Sequence, residues 1–278
     1  MSAALHRLLD SALAAPGIST IVERRFDRLF ASGALPGMCH GVFRSYAAAA
    51  AAAPDTLPLG YDNEASARLY HERMDRVYPG DYPAMLWLQK LFAAGVTRVF
   101  DLGGHVGISY YAYQEYVDYP DALRWELFDV PAVLDAAAGI AAKRDTRRAL
   151  HVTDSLAGAA QCDLLFTAGC LQYLEVPLAQ QLRTLPAMPE WILINVVPMH
   201  EHTDFWTVQS IQTAFCPYHV QHGDSFFSDL AALGYDVVDR WVNAEKHCTV
   251  KFRSYHSVKG YVGAVLRRRQ GGGRGLAG

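Results

Sequence analysis

Between residues 96 and 268 the chain alternates between short apolar runs and amphipathic stretches. Apolar runs bounded by turn residues predict buried strands, and apolar residues at helical spacing predict helices that pack on them. The pattern predicts strands over 97–102, 123–128, 148–153, 163–168 and 190–197, and helices over 107–117, 131–143 and 177–185. Nearly continuous apolar strands separated by helices predict an α/β fold, in which helices cover both faces of a parallel sheet.

The chain continues with a polar interval over 198–222. A helix is expected over 225–233, capped by Asp224 and ended by Gly234. Strands are then expected over 235–242, 247–253 and 260–267. The last two of these strands are expected to pair antiparallel at the edge of the sheet.

The N-terminal part has helical patterning of its own. Residues 1–35 read as amphipathic helix, and the alanine run before Pro54 predicts a surface helix, because alanine has the highest helix propensity. A helix over 83–94, ended by Gly95, would cover one face of the sheet. We therefore expect three parts: an N-terminal helical extension and lid (1–82), a Rossmann-like domain (83–268) and a disordered tail (269–278).

Composition excludes several classes of function. A formal net charge of −3 leaves no broad basic field, so nucleic acid is not an expected partner. The 5 cysteines are scattered and include no C-x-x-C, which indicates reduced thiols rather than a disulfide framework. No apolar run approaches the roughly 20 residues that a membrane span needs, and the N-terminus is too interrupted for a signal peptide. A cytoplasmic protein is expected.

The first candidate ligand-binding residues lie at the end of the predicted strand over 97–102. Asp101 is followed by a glycine turn at Gly103, Gly104 and Gly107, and then by a helix. Glycines let the backbone approach a ligand closely, and open N–H groups at a helix start favour polar or anionic groups. An acidic residue at the strand tip suits a ligand with a cationic amino-acid end. The dinucleotide fingerprint G-x-G-x-x-G does not fit this turn.

The order Asp-x-Gly-Gly-x-x-Gly resembles motif I of the class I S-adenosylmethionine (SAM) methyltransferases, with His105 where the commoner pattern has another glycine. This resemblance implies a Rossmann-like sheet of that class, SAM as cofactor and S-adenosyl-L-homocysteine as product. It implies that Asp101, Gly103, Gly104 and Gly107 hold the methionine end. Two roles are open for His105: it touches the SAM carboxylate, or it fills space over the helix start.

The next two strand tips also carry acids. Asp129 follows Asp101 by 28 residues, and its carboxylate can accept two hydrogen bonds from a ribose diol. The segment FDVPAV, which includes Val130, resembles a sequence element of small-molecule O-methyltransferases. Asp154, followed by Ser155, matches the place where the family often contacts the adenine amino group. For both acids the alternative is a helix cap.

The tip of the fourth strand, Thr167, Ala168 and Gly169, resembles the element that lies beside the methionine part of SAM and faces the substrate. Tyr173, just beyond, would be a donor to the acceptor or a pocket wall. A narrower resemblance comes from GVFRSYAAAAAAAP, LGYDN and RVYPGDYPAMLWL. These segments resemble the sequences of a bacterial family of SAM methyltransferases associated with surface polysaccharide clusters. The resemblance spans roughly residues 37–267.

An oxygen acceptor needs a base of near-neutral pKa, for which histidine is suited. The segment after the fifth strand offers His200 and His202 as candidates. A zinc site is the alternative for this segment, with Cys216, His219 and His222 as further ligands. These spacings match no common closed site, so no metal is predicted.

The resulting expectation is a SAM-dependent methyltransferase that methylates a hydroxyl of a small molecule or sugar. A homodimer is left open. One alternative is a non-catalytic SAM-binding or scaffold protein with the same fold. Another is an NAD enzyme acting on nucleotide sugars, against which the missing dinucleotide fingerprint argues.

Overall fold

Residues 18–269 are described by the structure, a computed structural model. Their strands are β1 (Cys39–Phe43), β2 (Arg98–Leu102), β3 (Arg124–Phe128), β4 (Leu150–Thr153), β5 (Leu164–Ala168), β6 (Trp191–Val197), β7 (Met199–His200), β8 (Phe205–Ser210), β9 (Phe215–His222), β10 (Tyr235–Cys248) and β11 (Val258–Arg268). Their α-helices are α1 (Ile18–Ala31), α2 (Tyr46–Ala52), α3 (Glu64–Ala67), α4 (Tyr82–Ala93), α5 (Ile108–Tyr113), α6 (Pro131–Arg144), α7 (Leu178–Arg183) and α8 (Gly223–Ala232).

Seven strands form the main sheet in the order β4-β3-β2-β5-β6-β11-β10. The five strands from β4 to β6 are parallel, and β11 runs antiparallel between β6 and β10. The strand order reverses between β2 and β5, which is where open α/β sheets bind ligands. This order and these directions form a Rossmann-like α/β sheet, and the predicted fold class is confirmed.

Helices cover both faces of this sheet, as predicted. Leu88 of α4, Tyr110 of α5 and Val133 of α6 belong to one buried apolar core. Leu182 of α7 and Leu230 of α8 belong to the core on the opposite face. Successive residues of a strand point to opposite faces, which is why nearly continuous apolar runs were needed to fill both cores.

A second sheet, in the order β1-β8-β9-β7, was not predicted. The expected polar interval over 198–222 contains three of its strands, so that expectation is wrong. Some of its buried polar side chains have partners that are distant in the sequence. Thr207, for example, donates to the carbonyl oxygen of His40 at 3.1 Å. Since β1 lies within residues 1–82, the N-terminal extension is not wholly helical.

Several element boundaries also differ from those predicted. The edge hairpin joins β10 to β11, and β10 continues to Cys248, so no separate strand forms over 247–253. Helix α8 begins at Gly223, which places Asp224 in its first turn rather than at its cap. Of the helix expected over 1–35, α1 covers the part from Ile18, and residues 1–17 and 270–278 lie outside the described part. Within 18–269 we find no helix with the length and apolarity to cross a membrane.

Candidate active site

The glycine turn brings the tips of three strands together. Gly103 has φ +72° and donates its N–H to the carbonyl oxygen of Phe128 at 2.7 Å, which links the turn to β3. A β-carbon at Gly103 would overlap the side chain of Cys170, just beyond β5. Gly107 has φ +87° and begins α5. Only glycine fits both the left-handed backbone and the close approach at Gly103.

Asp101 places a carboxylate beneath this turn. The side chain is 1% exposed, and its Oδ2 accepts a hydrogen bond from Nε1 of Trp125 at 2.9 Å. Its Oδ1 has no partner among residues 18–269. Burial raises the pKa of Asp101 to about 7, and the nearby Asp129 charge adds to this rise. A buried acceptor of this kind requires a donor.

Asp129 fastens the turn to the tip of β3. Its Oδ2 accepts from the backbone N–H of His105 at 2.9 Å, and its Oδ1 from that of Val130 at 2.8 Å. Burial raises the pKa of Asp129 to about 6 although both hydrogen bonds lower it. The N-cap of α6 is Val130, and that helix has no side-chain cap. Each carboxylate oxygen keeps a second lone pair for a ligand hydroxyl.

His105 connects the turn to the N-terminal segment. Its ring Nε2 lies 3.1 Å from the carbonyl oxygen of Ser66, and its ring centroid lies 6.2 Å from that of Tyr70. Because a carbonyl only accepts, Nε2 carries the proton and Nδ1 is an acceptor, without a partner among the described residues. Burial lowers the pKa of His105 to about 4, so the ring is neutral. A neutral ring whose free nitrogen is an acceptor cannot donate to a carboxylate, and the cofactor role of His105 stays a prediction.

Asp154 and Ser155 follow β4 and are exposed. The Ser155 N–H donates to Oγ1 of Thr153 at 3.2 Å, and neither Asp154 nor Ser155 provides a side-chain cap for the following 3₁₀ helix. Asp154 borders a cleft of about 470 Å³ between α6 and β4. The other lining residues are Pro131, Leu134, Asp135, Ala138, Val152 and Thr153. The cleft thus combines apolar surface with two carboxylates, those of Asp135 and Asp154.

The tip of β5 lies next to the turn across the reversal of strand order. Gly169 has φ +75° and donates its N–H to the carbonyl oxygen of Asn195 at 2.9 Å. Ala168, one residue before, is partly exposed. Thr167 is fully buried, and within 18–269 its hydroxyl has no partner. It shares the face of Leu165, so it supports this tip from the α7 and α8 side.

Gln172 is a polar residue of this region to which sequence analysis gave no role. Its Nε2 donates to the carbonyl oxygen of Gly169 at 2.8 Å, and its side chain is 3% exposed. Its Oε1 has no partner in the described chain. The sequence signal that could have identified Gln172 is its position in the Leu-Gln-Tyr-Leu run after the fourth predicted strand. Only the structure shows that its Oε1 has no partner among the described residues.

Tyr173 lies between the β5 tip and the second sheet. Its hydroxyl donates to Oε1 of Gln209 at 2.7 Å, and its ring packs edge-on against Tyr61 and Tyr218. Burial raises the pKa of Tyr173 well above its ordinary value. Tyr173 therefore keeps its proton and donates it in the hydrogen bond to Gln209, and the ring forms a wall.

The two histidines predicted as bases lie at and just beyond β7. Nε2 of His200 lies 2.7 Å from the carbonyl oxygen of Tyr255, and its Nδ1 accepts from the backbone N–H of His202 at 3.0 Å. His202 is exposed, and its Nε2 lies 3.8 Å from Glu201. No hydrogen bond joins either ring to the glycine turn or the β5 tip within the described chain. Both remain predictions as catalytic residues.

The histidines and cysteine considered for zinc do not converge. His219 bonds to Asp204 at 2.7 Å, while the ring of His222 bonds to Ser225 at 2.9 Å. Among residues 18–269 no group of three His, Cys, Asp or Glu side chains is arranged to hold a metal ion.

No family model matches the sequence, and no curated protein matches it. The 1,6-didemethyltoxoflavin-N1-methyltransferase of Burkholderia thailandensis, solved with S-adenosylhomocysteine, is 16% identical at a TM-score of 0.45, over 69% of this chain and 79% of that one. The magnesium protoporphyrin IX methyltransferase of Synechocystis PCC 6803, solved with SAM, is 9% identical at a TM-score of 0.44, over 68% and 77%. A SAM-dependent methyltransferase of Mesorhizobium loti is 15% identical at a TM-score of 0.44, over 70% and 100%.

Proposed function

We propose that this chain is a SAM-dependent methyltransferase whose cofactor lies across the tips of β2, β3, β4 and β5. The observation that carries the proposal is a pair of buried acceptors on one turn. Asp101 Oδ1 and His105 Nδ1 have no partner within 18–269, although both are shielded from water. The methionine end of SAM carries an α-ammonium group with three N–H donors, which matches this need.

The remaining cofactor roles follow the strand tips. Gly103, Gly104 and Gly107 admit the methionine backbone at the turn, and Asp129, flanked by Val130, accepts from the ribose hydroxyls. Asp154 and Ser155 bind adenine beside the cleft between α6 and β4. Thr167, Ala168 and Gly169 shape the wall beside the methionine part. When bound, SAM supplies a methyl group on a sulfonium, and these residues orient it and exclude water.

We propose a hydroxyl of a small molecule or sugar as the acceptor, in keeping with the likeness to methyltransferases of surface polysaccharide clusters. Of the predicted catalytic residues, His202 is the base to test first, because its ring is exposed. His200 and Tyr173 already use their ring nitrogens or hydroxyl in hydrogen bonds. Tyr173 then serves as a pocket wall.

A non-catalytic SAM-binding role is the second candidate. The observation that favours it is that His200 and Tyr173 are committed to Tyr255 and Gln209. Binding of SAM without methyl transfer to a broad panel of hydroxyl acceptors would support this role over the enzymatic one.

The test is isothermal titration with SAM and S-adenosylhomocysteine. We expect micromolar dissociation constants for the wild-type chain and at least tenfold weaker binding for Asp129→Asn. Asp121→Asn is the matched control. Asp121 is an exposed acid just before β3, at the amino-terminal ends of the parallel strands, so this variant should bind both ligands like the wild type. A folded wild-type chain that binds neither ligand would overturn the proposal.

A further inference from the structure

Two cysteines that are far apart in the sequence meet in the apolar core that the two sheets share. Cys39 is the first residue of β1 in the second sheet, and Cys248 is the last residue of β10 in the main sheet. Their Sγ atoms lie 3.5 Å apart, although 209 positions separate them in the chain. Cys39 is 0% exposed and Cys248 is 1% exposed, so both thiols are shielded from water.

Backbone hydrogen bonds hold the two segments together on both sides of Cys39. The Cys39 N–H donates to the carbonyl oxygen of Thr249 at 3.4 Å, and the Lys251 N–H donates to the carbonyl oxygen of Cys39 at 3.2 Å. These bonds form a parallel bridge between Cys39 and Val250, which lies two residues beyond Cys248. The contact between the sulfur atoms therefore rests on paired backbones and does not depend on side-chain orientation alone.

The direct contact of two sulfur atoms distinguishes this pair from cysteines that only fill space in a core. Among residues 18–269 no other cysteine sulfur lies within hydrogen-bond distance of a second one. Cys162, for comparison, is buried, and its thiol donates to the carbonyl oxygen of Gly158 at 3.5 Å. The hydrogen bond from the Cys248 thiol, together with burial, raises the pKa of Cys39 well above its ordinary value, so Cys39 is a protonated thiol at neutral pH.

We infer that Cys39 and Cys248 are a site of oxidation by hydrogen peroxide, which joins them in a disulfide. The sulfur of one cysteine, as thiolate, attacks a peroxide oxygen, the O–O bond breaks, and a sulfenic acid and hydroxide form. The other sulfur then attacks the sulfenic sulfur, an S–S bond forms, and the oxygen leaves as water. In total the two thiols lose two electrons and two protons, and the peroxide becomes two water molecules. The sulfur atoms need to approach by about 1.5 Å, since a disulfide bond is about 2 Å long.

The disulfide joins the second sheet covalently to the edge of the main sheet. It closes a loop of more than two hundred residues, and cross-links that close long loops restrict the unfolded chain most. Cys39 and Cys248 belong to the same core as Tyr218, whose ring packs edge-on against Tyr173. Oxidation therefore fixes the second sheet behind the Tyr173 wall and stabilises the folded chain.

The test treats the folded full chain with dithiothreitol or with dilute hydrogen peroxide, then alkylates free thiols in denaturant and maps the peptides by mass spectrometry. In the peroxide sample we expect a peptide that contains Cys39 to be joined to one that contains Cys248. The joined species should be lighter than the two separate peptides by two hydrogen atoms, and it should disappear after dithiothreitol. Cys162 is the internal control, because it is buried but has no sulfur neighbour, and it should still be alkylated.

Urea denaturation of the same samples measures the effect on the fold. The midpoint of the peroxide-treated wild type should be about 1 M higher than that of the reduced chain. Cys39→Ala and Cys248→Ala should show no such shift, whereas Cys162→Ala should show all of it. The inference is overturned if Cys39 and Cys248 are still alkylated after peroxide, if either is joined to another cysteine, or if the disulfide forms without raising the midpoint. Mapping and denaturation of the wild type decide these outcomes even where a variant does not fold.

Discussion

The backbone N–H of His105 donates to Oδ2 of Asp129 over 2.9 Å, which fastens the turn after β2 to the tip of β3. The hydrogen bond uses one lone pair of that oxygen and leaves another for a ligand. In the proposed complex one carboxylate thus shapes the turn and also holds the ribose. A change at Asp129 should therefore affect both the fold of the turn and cofactor affinity.

His105 itself has φ +55°, a left-handed conformation that costs a non-glycine residue about 1 kcal/mol or more. His105→Gly and His105→Ala both lose the ring and its hydrogen bond to Ser66. Only the glycine variant also removes the conformational strain of the left-handed backbone at this position. We expect His105→Gly to be more stable than His105→Ala by about 1 kcal/mol in urea denaturation. An alanine variant as stable as the glycine variant would contradict the left-handed backbone at this position.

The five parallel strands of the main sheet were predictable because each is a short, mainly apolar run with turn residues at its ends. The second sheet was not, because β8 and β9 mix polar with apolar residues. Their burial depends on distant partners, such as the His40 carbonyl for Thr207. The acids at the strand tips were also predictable from position. The contact between His105 and Ser66 depends on tertiary packing that local periodicity does not encode.

Cofactor affinity should depend on pH through Asp101. Its pKa is raised to about 7, so in the ligand-free chain a large fraction is protonated at pH 5.5 and most is ionised at pH 7.5. The α-ammonium of the ligand binds the ionised form, so affinity should rise with pH across this window. We expect roughly a tenfold increase for S-adenosylhomocysteine by isothermal titration.

Two variants separate Asp101 from other titrating groups. Asp101→Asn cannot ionise, so its affinity should be weaker and less dependent on pH between 5.5 and 7.5. Asp121→Asn should keep the full dependence. A wild type whose affinity is constant over this range would show that the ammonium is bound elsewhere.

His200 and His202 should differ in their contribution to stability. His200 is 9% exposed and uses both ring nitrogens in hydrogen bonds, whereas the ring of His202 is largely exposed. His200→Ala leaves the Tyr255 carbonyl and the His202 N–H without these partners, and we expect a loss of about 1–3 kcal/mol in urea denaturation. His202→Ala should change stability by less than about 0.5 kcal/mol. Equal losses would mean that His200 is not held as the structure has it.

Gly103 and Cys170 should be energetically coupled, because a β-carbon at Gly103 would overlap the Cys170 side chain. Gly103→Ala therefore adds an overlap to the cost of a left-handed alanine, and we expect a loss of about 2–4 kcal/mol. In a Cys170→Gly background the overlap is gone, and the loss should fall to about 1 kcal/mol. Gly60→Ala is the control for backbone strain alone, since Gly60 has φ +82° and open space around it. If Gly103→Ala costs the same in both backgrounds, the tips of β2 and β5 are not in the close contact on which the proposed cradle depends.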